Sequence, residues 1–269
     1  MIIKIEHNNK TYNVDTRQFV DISIPYNFNG PQPNFYDVKP GQLHPLKVDN
    51  SSYSVLKGAS CNVPEISLNI HCTGTHTEHV GHLLENPGSI SEKLDDIIIP
   101  AGLISVKTIP FINCNDAYHV DVDDNEMVIC KQLLSSEFNK VLRYNVTSLI
   151  IRTLPNLASK KYLTYSENKP PFFTNDAIMF LIKNNIKHVI VDIPSLDRID
   201  DKGILGNHRI FWSKSNKSMN NVNKNSNSTI TELAFIPNNI LDGFYFLNIQ
   251  LPHFRCDAAP SRPILIKPN

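Results

Sequence analysis

Apolar residues recur along the chain in two rhythms. In TRQFVDISIPYN, Val20, Ile22 and Ile24 alternate with polar neighbours, the period-two pattern of a strand. EISLNIHCT reads as a second strand. IIIPAGLISVKTI, SLIIRT and KHVIVD are near-continuous apolar runs, as expected of strands covered on both faces, and GFYFLNIQLP and RPILIK add two more. Between them, GHLLENPGSISEKLDD predicts a short helix and turn, and EMVICKQLLSSEFNKVL and TNDAIMFLIKNNI predict helices, the latter capped by Thr174 or Asn175. The alternation makes this an α/β chain with a mixed central sheet, in one domain over residues 1–269. Two stretches interrupt it. The thirty or so residues after the first strand are rich in proline, glycine and asparagine and predict a long ordered loop or lid. SNKSMNNVNKNSNSTIT has almost nothing to bury and predicts a mobile insertion at about residues 214–229.

Composition narrows the function classes. Of 269 residues, 41% are hydrophobic and 19% charged, enough to bury a sizeable core. Twenty-six Lys and Arg balance 26 Asp and Glu, so no basic excess points to nucleic acid or an anionic membrane. A small-molecule substrate is the partner to expect. MIIKIEHNNKTYNVD lacks the apolar core of a signal peptide, and no run of about 18 apolar residues predicts a membrane span. Cys61, Cys72, Cys114, Cys130 and Cys256 are odd in number and form no CxxC pair, which favours a reducing cytoplasm over a disulfide framework.

One stretch stands apart. HCTGTHTEHVGH, residues 71–82, holds four of the ten histidines with a glutamate and a cysteine. Residues of equal parity share one side of an extended segment, so Cys72, His76 and Glu78 can converge, with His82 following from the first turn of a helix. Gly74 lets the backbone bend between them. Imidazole, thiolate and carboxylate are the ligand set of a borderline metal such as zinc.

TGTHTEHVGH resembles the signature His-x-Gly-Thr-His-x-Asp-x-Pro-x-His of the cyclase-type metal-dependent hydrolases, the family of bacterial kynurenine formamidase and isatin hydrolase. FVDISIPY, LIIRT with TNDAIMFLIKNNIKHVIVDIPSLD, GNHRIFW, TITELAF and CDAAPSRPILI are similar to further family segments, in order, over most of residues 19–266. The resemblance implies a swivelling β/α fold with a barrel-like core flanked by helices. It implies metal ligation by His76, Glu78 (where the family has aspartate), His208 and Glu232, and a catalytic His82. At the first ligand position stands Cys72, with His71 one residue earlier. Either Cys72 ligates as a thiolate or a bulge brings His71 round, and a hydrolytic site with few anionic ligands favours His71. The implied cofactor is a divalent ion, zinc or manganese, in one or two copies. The implied chemistry is hydrolysis of an amide or cyclic amide, with His82 shuttling the proton. A homodimer or higher homo-oligomer follows from the same resemblance.

Other residues carry plainer expectations. Asp192 and Asp197 read as carboxylates with structural hydrogen bonds, Asp257 and Arg262 as a structural pair, and Trp212 as core or substrate wall. His7, His44, His119, His188 and His253 have no constellation around them. Phe111, Phe172, Phe173 and the Tyr26–Tyr36 loop are candidates for pocket walls. Against the enzyme stand a non-catalytic metal- or ligand-binding protein on the same fold and a purely structural metal staple.

Overall fold

The computed structural model describes residues 1–213 and 219–268. Its sheet is built from β1 (Phe19–Asp21), β2 (His76–His79), β3 (Ile99–Lys107), β4 (Ser148–Leu154), β5 (His188–Val191), β6 (Thr229–Glu232), β7 (Gly243–Gln250), β8 (Ala258–Pro260) and β9 (Arg262–Ile266). The spatial order is β8-β2-β6-β5-β4-β3-β7-β9-β1. The central strands β6, β5, β4 and β3 run parallel. The flanking pairs are antiparallel, so the sheet is mixed.

Successive side chains on a strand point to opposite faces, and here both faces are apolar. On one face Leu149 and Ile151 of β4 and Val189 and Val191 of β5 meet helices α1 (Lys131–Phe138) and α2 (Asn175–Lys183) through Leu134, Phe138, Ile178 and Leu181. On the other, Ile150 and Ile190 meet Ile22, Leu103, Leu247 and Leu265. The second core sits inside the curl of the sheet. The chain after β1 helps close that curl: Ile22 donates its amide to Pro263 O and accepts from the amide of Phe235, just beyond β6. This is the barrel-like core that the family resemblance implied, curled as a half-barrel.

Several boundaries differ from the sequence pattern. The segment read as one helix over EMVICKQLLSSEFNKVL begins as a strand, Met127–Ile129, parallel to Phe172–Phe173, and turns helical at Lys131. Its apolar run serves a non-local pairing that periodicity does not display. α2 starts where expected, with the Thr174 hydroxyl accepting from the Ala177 amide. The expected lid carries two small hairpins, one pairing Gln42–Pro45 with Pro64–Ser67, so the strand in EISLNIHCT stops before the histidine cluster. Part of the Asn-rich insertion, residues 214–218, lies outside the described residues. The rest is tied down, with the amide of Asn223 on Trp212 O and Trp212 Nε1 donating to Ser228 O. Trp212 is core, as is Phe173, while Phe172, also buried, lines a small cavity with Met127, Pro170 and Arg198 that is separate from the histidine cluster. Among the described residues no helix is long and apolar enough to cross a membrane.

Candidate metal centre

Strand β2 sets the site's axis. His76 and Glu78 are two residues apart and share a face, while Thr77 and His79 point the other way. Thr77 pairs through its hydroxyl with Thr231 opposite, at 2.7 Å, and this antiparallel register places Glu232 against His76. On the other edge Ala258 faces Glu78, which brings Asp257 to the same end. His208 comes from α3 (Gly206–Phe211) and His82 from a 3-10 turn over Val80–Leu83. The His79 imidazole accepts from the Gly81 amide at 3.1 Å and so caps the turn that carries His82. Of the four clustered histidines, His79 alone faces away from the site.

The side chains form interlocking groups. His71, His76 and Glu78 lie together, as do Glu78, His208 and Glu232, and also His71, His82 and Asp257. Glu78 belongs to the first two, so its two oxygens straddle two potential ion positions. Oε2 is 3.1 Å from His71 Nδ1 and Oε1 is 2.9 Å from His208 Nε2. The longer glutamate, where the family has aspartate, spans both groups here.

The histidines are held from behind. His76 Nδ1 sits 3.0 Å from Gly74 O, His208 Nδ1 2.6 Å from Asp197 Oδ2, and His71 Nε2 3.1 Å from Asp257 Oδ2. In a neutral ring each acceptor favours an N–H on the outer side, which leaves the lone pair on the inner side. The inner atoms then face other acceptors: His76 Nε2 lies 3.4 Å from Glu232 Oε2, and His208 Nε2 lies 2.9 Å from Glu78 Oε1. His76 Nε2 and Glu78 Oε1 are buried and make no hydrogen bond. Such facing acceptors cost about 1–3 kcal/mol each unless a cation lies between them. The donor set of imidazole and carboxylate suits a divalent ion such as zinc or manganese.

The electrostatics of the cluster make the same demand for positive charge, which a second proton on an imidazole meets where no ion does. Burial alone would lower the His71 pKa, but Asp257 and Glu78 carry it up to about 10. His208 is likewise raised well above the usual range against its burial, by Glu78, Asp197 and Glu232. Glu78 and Glu232 are held low despite complete burial, Glu78 by His82 and His208, Glu232 by His208 and His76. Asp257 is pulled far below the carboxylate range by its bonds to His71 and His82.

Cys72 belongs to none of these groups. Its side chain packs with Ile24, Phe35, Tyr165, Leu233 and Phe235. Burial first, and the Glu232 charge second, push its thiol up to about 11, away from the thiolate a metal needs. Of the two candidates for the first ligand position, the fold brings His71 to the cluster and leaves Cys72 in the core.

Three participants escape the sequence pattern. Asp257 does not pair with Arg262, whose guanidinium lies 2.7 Å from Asp21 Oδ2 instead. It bonds His71 and His82, the latter at 3.0 Å. Asp197 makes structural hydrogen bonds, as read, but one holds His208. His119, read as isolated, faces Asp197 and Asp201. The backbone is strained beside two of the site residues. Leu233, next to Glu232, has φ +53°, and Leu205, three residues before His208, has φ +52°. A non-glycine residue held there costs on the order of 1–3 kcal/mol and persists only where the surroundings impose it.

A family described as "Putative cyclase" matches residues 20–198, a span that includes His71, His76, Glu78, His82 and Asp197. Kynurenine formamidase of Bacillus cereus is 28% identical over 201 residues, covering 73% of this chain and 78% of its own length. That of Bacillus cytotoxicus is 27% identical over 194 residues, covering 72% and 77%. Isatin hydrolase A from Labrenzia aggregata, bound to benzyl benzoate, shares the fold with a TM-score of 0.59 at 14% identity, over 94% of each chain. A potential metal-dependent hydrolase with cyclase activity gives a TM-score of 0.60 at 18% identity, over 93% and 97%.

Proposed function

The chain belongs to the cyclase family of metal-dependent hydrolases, and on that premise we propose that it hydrolyses a carbon–nitrogen bond in a small non-peptide amide. The amide is open-chain, as for a formamidase, or cyclic, as for isatin hydrolase. The observation that carries this reading is the set of His71, His76 and His208, each fixed from behind with its inner nitrogen turned toward Glu78 or Glu232. His71, His76 and Glu78 would hold one divalent ion, and Glu78, His208 and Glu232 a second, with zinc or manganese the fitting choices. Bound there, such an ion would lower the pKa of a water toward 7 and polarise a carbonyl.

The protein's own groups supply the rest. Asp257 accepts from His82 Nδ1–H, which leaves His82 Nε2 as the atom that takes a proton from the attacking water and returns it to the leaving nitrogen. His71, His82 and Asp257 are partly exposed while His76, Glu78, His208 and Glu232 are buried, so substrate approaches from the Asp257 side. An apolar cleft of about 620 Å³, lined by Tyr26, Phe28, Ile66, Leu68, Ile70 and Phe254, adjoins His71 through Ile70 and suits the apolar part of such a substrate. Leu43, Val48, Leu56 and Ile66 expose apolar surface along the 42–67 segment, which supports a homo-oligomer. The five free thiols fit a cytoplasmic setting.

Metal content and turnover on a panel of formamides and cyclic amides test the proposal together. His76→Ala should lose metal, and His82→Ala should keep it while turnover falls on the order of 10²–10⁴-fold. Full turnover by a His76→Ala protein would sink the reading.

A further inference from the structure

Behind His208 lies a second buried histidine that the metal chemistry does not use. His119 has 2% of its side chain exposed, and its Nε2 is buried without a hydrogen-bond partner. That atom faces Asp197 Oδ1 at 3.9 Å and Asp201 Oδ2 at 3.7 Å. Asp197 is the carboxylate that accepts from His208 Nδ1.

The protonation of the His119 ring follows from a chain of hydrogen bonds. Asn207 Nδ2 donates to two carbonyls, Phe173 O at 2.7 Å and Leu196 O at 2.9 Å, which fixes which end of its amide is oxygen. Asn207 Oδ1 therefore accepts, and does so from Asn175 Nδ2 at 2.8 Å. The same Asn175 Nδ2 lies 3.1 Å from His119 Nδ1 and donates there too. His119 Nδ1 is thus an acceptor, and the proton of the neutral ring is on Nε2. An N–H at that place directs positive charge into the gap between Asp197 and Asp201. It argues against a further metal ion there, because no lone pair is left on Nε2 to bind one.

The ring is also wedged against the helix that carries His208. A Cβ at Gly206, the first residue of α3, would lie 2.3 Å from His119 Nδ1 and Cε1. Tyr118 covers the ring at a centroid distance of 4.1 Å and donates its own hydroxyl to Asp197 Oδ1 at 3.2 Å. The amide of Asn207 donates to the same oxygen at 2.8 Å.

We infer that His119 is a positioning residue for the metal centre: through Asp197 and the seat at Gly206, it fixes the orientation in which His208 presents Nε2 to the ion. The inference rests on the metal reading above. It makes His119, fixed by Asn175 and Asn207 and packed under Tyr118, an outer support that acts without touching ion or substrate.

Zinc affinity of the full-length protein, measured by competition with a chromophoric chelator, tests it without any assay of activity. His119→Leu removes the N–H and should weaken zinc binding 10- to 100-fold, the usual cost of losing an outer-shell partner. His119→Gln places an amide N–H near the lost one and should recover most of that affinity. Gly206→Ala, which leaves His119 in place but crowds it, should also weaken binding and covers the case in which the leucine variant does not fold. Wild-type affinity in His119→Leu overturns the inference, as does a loss that His119→Gln leaves unrecovered. If the wild-type protein binds no zinc or manganese, the metal reading fails and this role goes with it. If it binds zinc and His119→Leu binds equally well, only the role of His119 fails.

Discussion

Asp257 Oδ2 lies 3.0 Å from His82 Nδ1, and 175 positions of sequence separate the two residues. The bond selects the tautomer in which Nε2 of His82 carries the lone pair, and the same carboxylate oxygen also holds His71. Replacing Asp257 by asparagine keeps the shape and removes the charge that orients both rings. Turnover should then fall about 10- to 100-fold, as for other lost outer-shell partners. Steady-state kinetics of Asp257→Asn against the wild type is the check, and an unchanged kcat would mean that His82 needs no orienting partner.

Glu78 reaches two groups of ligands because of its length. Shortening it to aspartate withdraws the carboxylate by roughly 1.5 Å, one carbon–carbon bond, where a metal site tolerates about 0.5 Å of displacement. Glu78→Asp should therefore bind fewer equivalents of zinc than the wild type, although aspartate is what the family pattern shows. Elemental analysis per chain after dialysis decides it. Equal metal content in the two proteins would show that the backbone of β2 shifts to compensate.

Cys72 and His71 separate cleanly under mutation. Cys72→Ala removes a small buried group from an apolar cluster and should cost about 1 kcal/mol of stability with metal content intact. His71→Ala should lose metal instead. The opposite pattern, metal lost with the cysteine and kept without the histidine, would make Cys72 the ligand.

Some of this was legible in the sequence for physical reasons. β4 and β5 could be read because a strand covered on both faces must be apolar at every position, and Ile150 and Ile151 do enter different cores. His76 and Glu78 could be read because parity along a strand is a local rule. Asp257 could not, because what makes it part of the site is the β8–β2 pairing, which no local pattern records. His119 was hidden similarly: its partners Asn175, Asp197 and Asp201 come from other segments, and a lone histidine looks the same buried or exposed. Cys72 sits at the ligand position by spacing, yet the chain turns there and its thiol joins Phe35 and Tyr165.

His188, at the start of β5, gives the fold a pH dependence that is independent of the metal centre. Its Nδ1 lies 2.9 Å from the Thr229 hydroxyl, and its side chain is largely buried. Burial, and then the charge of Lys187, lowers its pKa from 6.5 to about 4, against a smaller opposing pull from Asp96 and Asp95. Because the folded pKa lies below the unfolded one, the unfolded chain binds more protons between pH 4 and 6.5, and stability rises with pH across that window. Acidification from 6.5 to 4 should remove up to roughly 3 kcal/mol through this residue. His188→Gln cannot take up the proton, so its stability, measured by urea denaturation, should fall less steeply than that of the wild type over the same range. The two curves should converge near pH 4 in slope and diverge most between pH 5 and 6. Parallel curves across the whole window would mean that His188 keeps an ordinary pKa in the folded protein, and the acid sensitivity would then have to come from the carboxylates of the site.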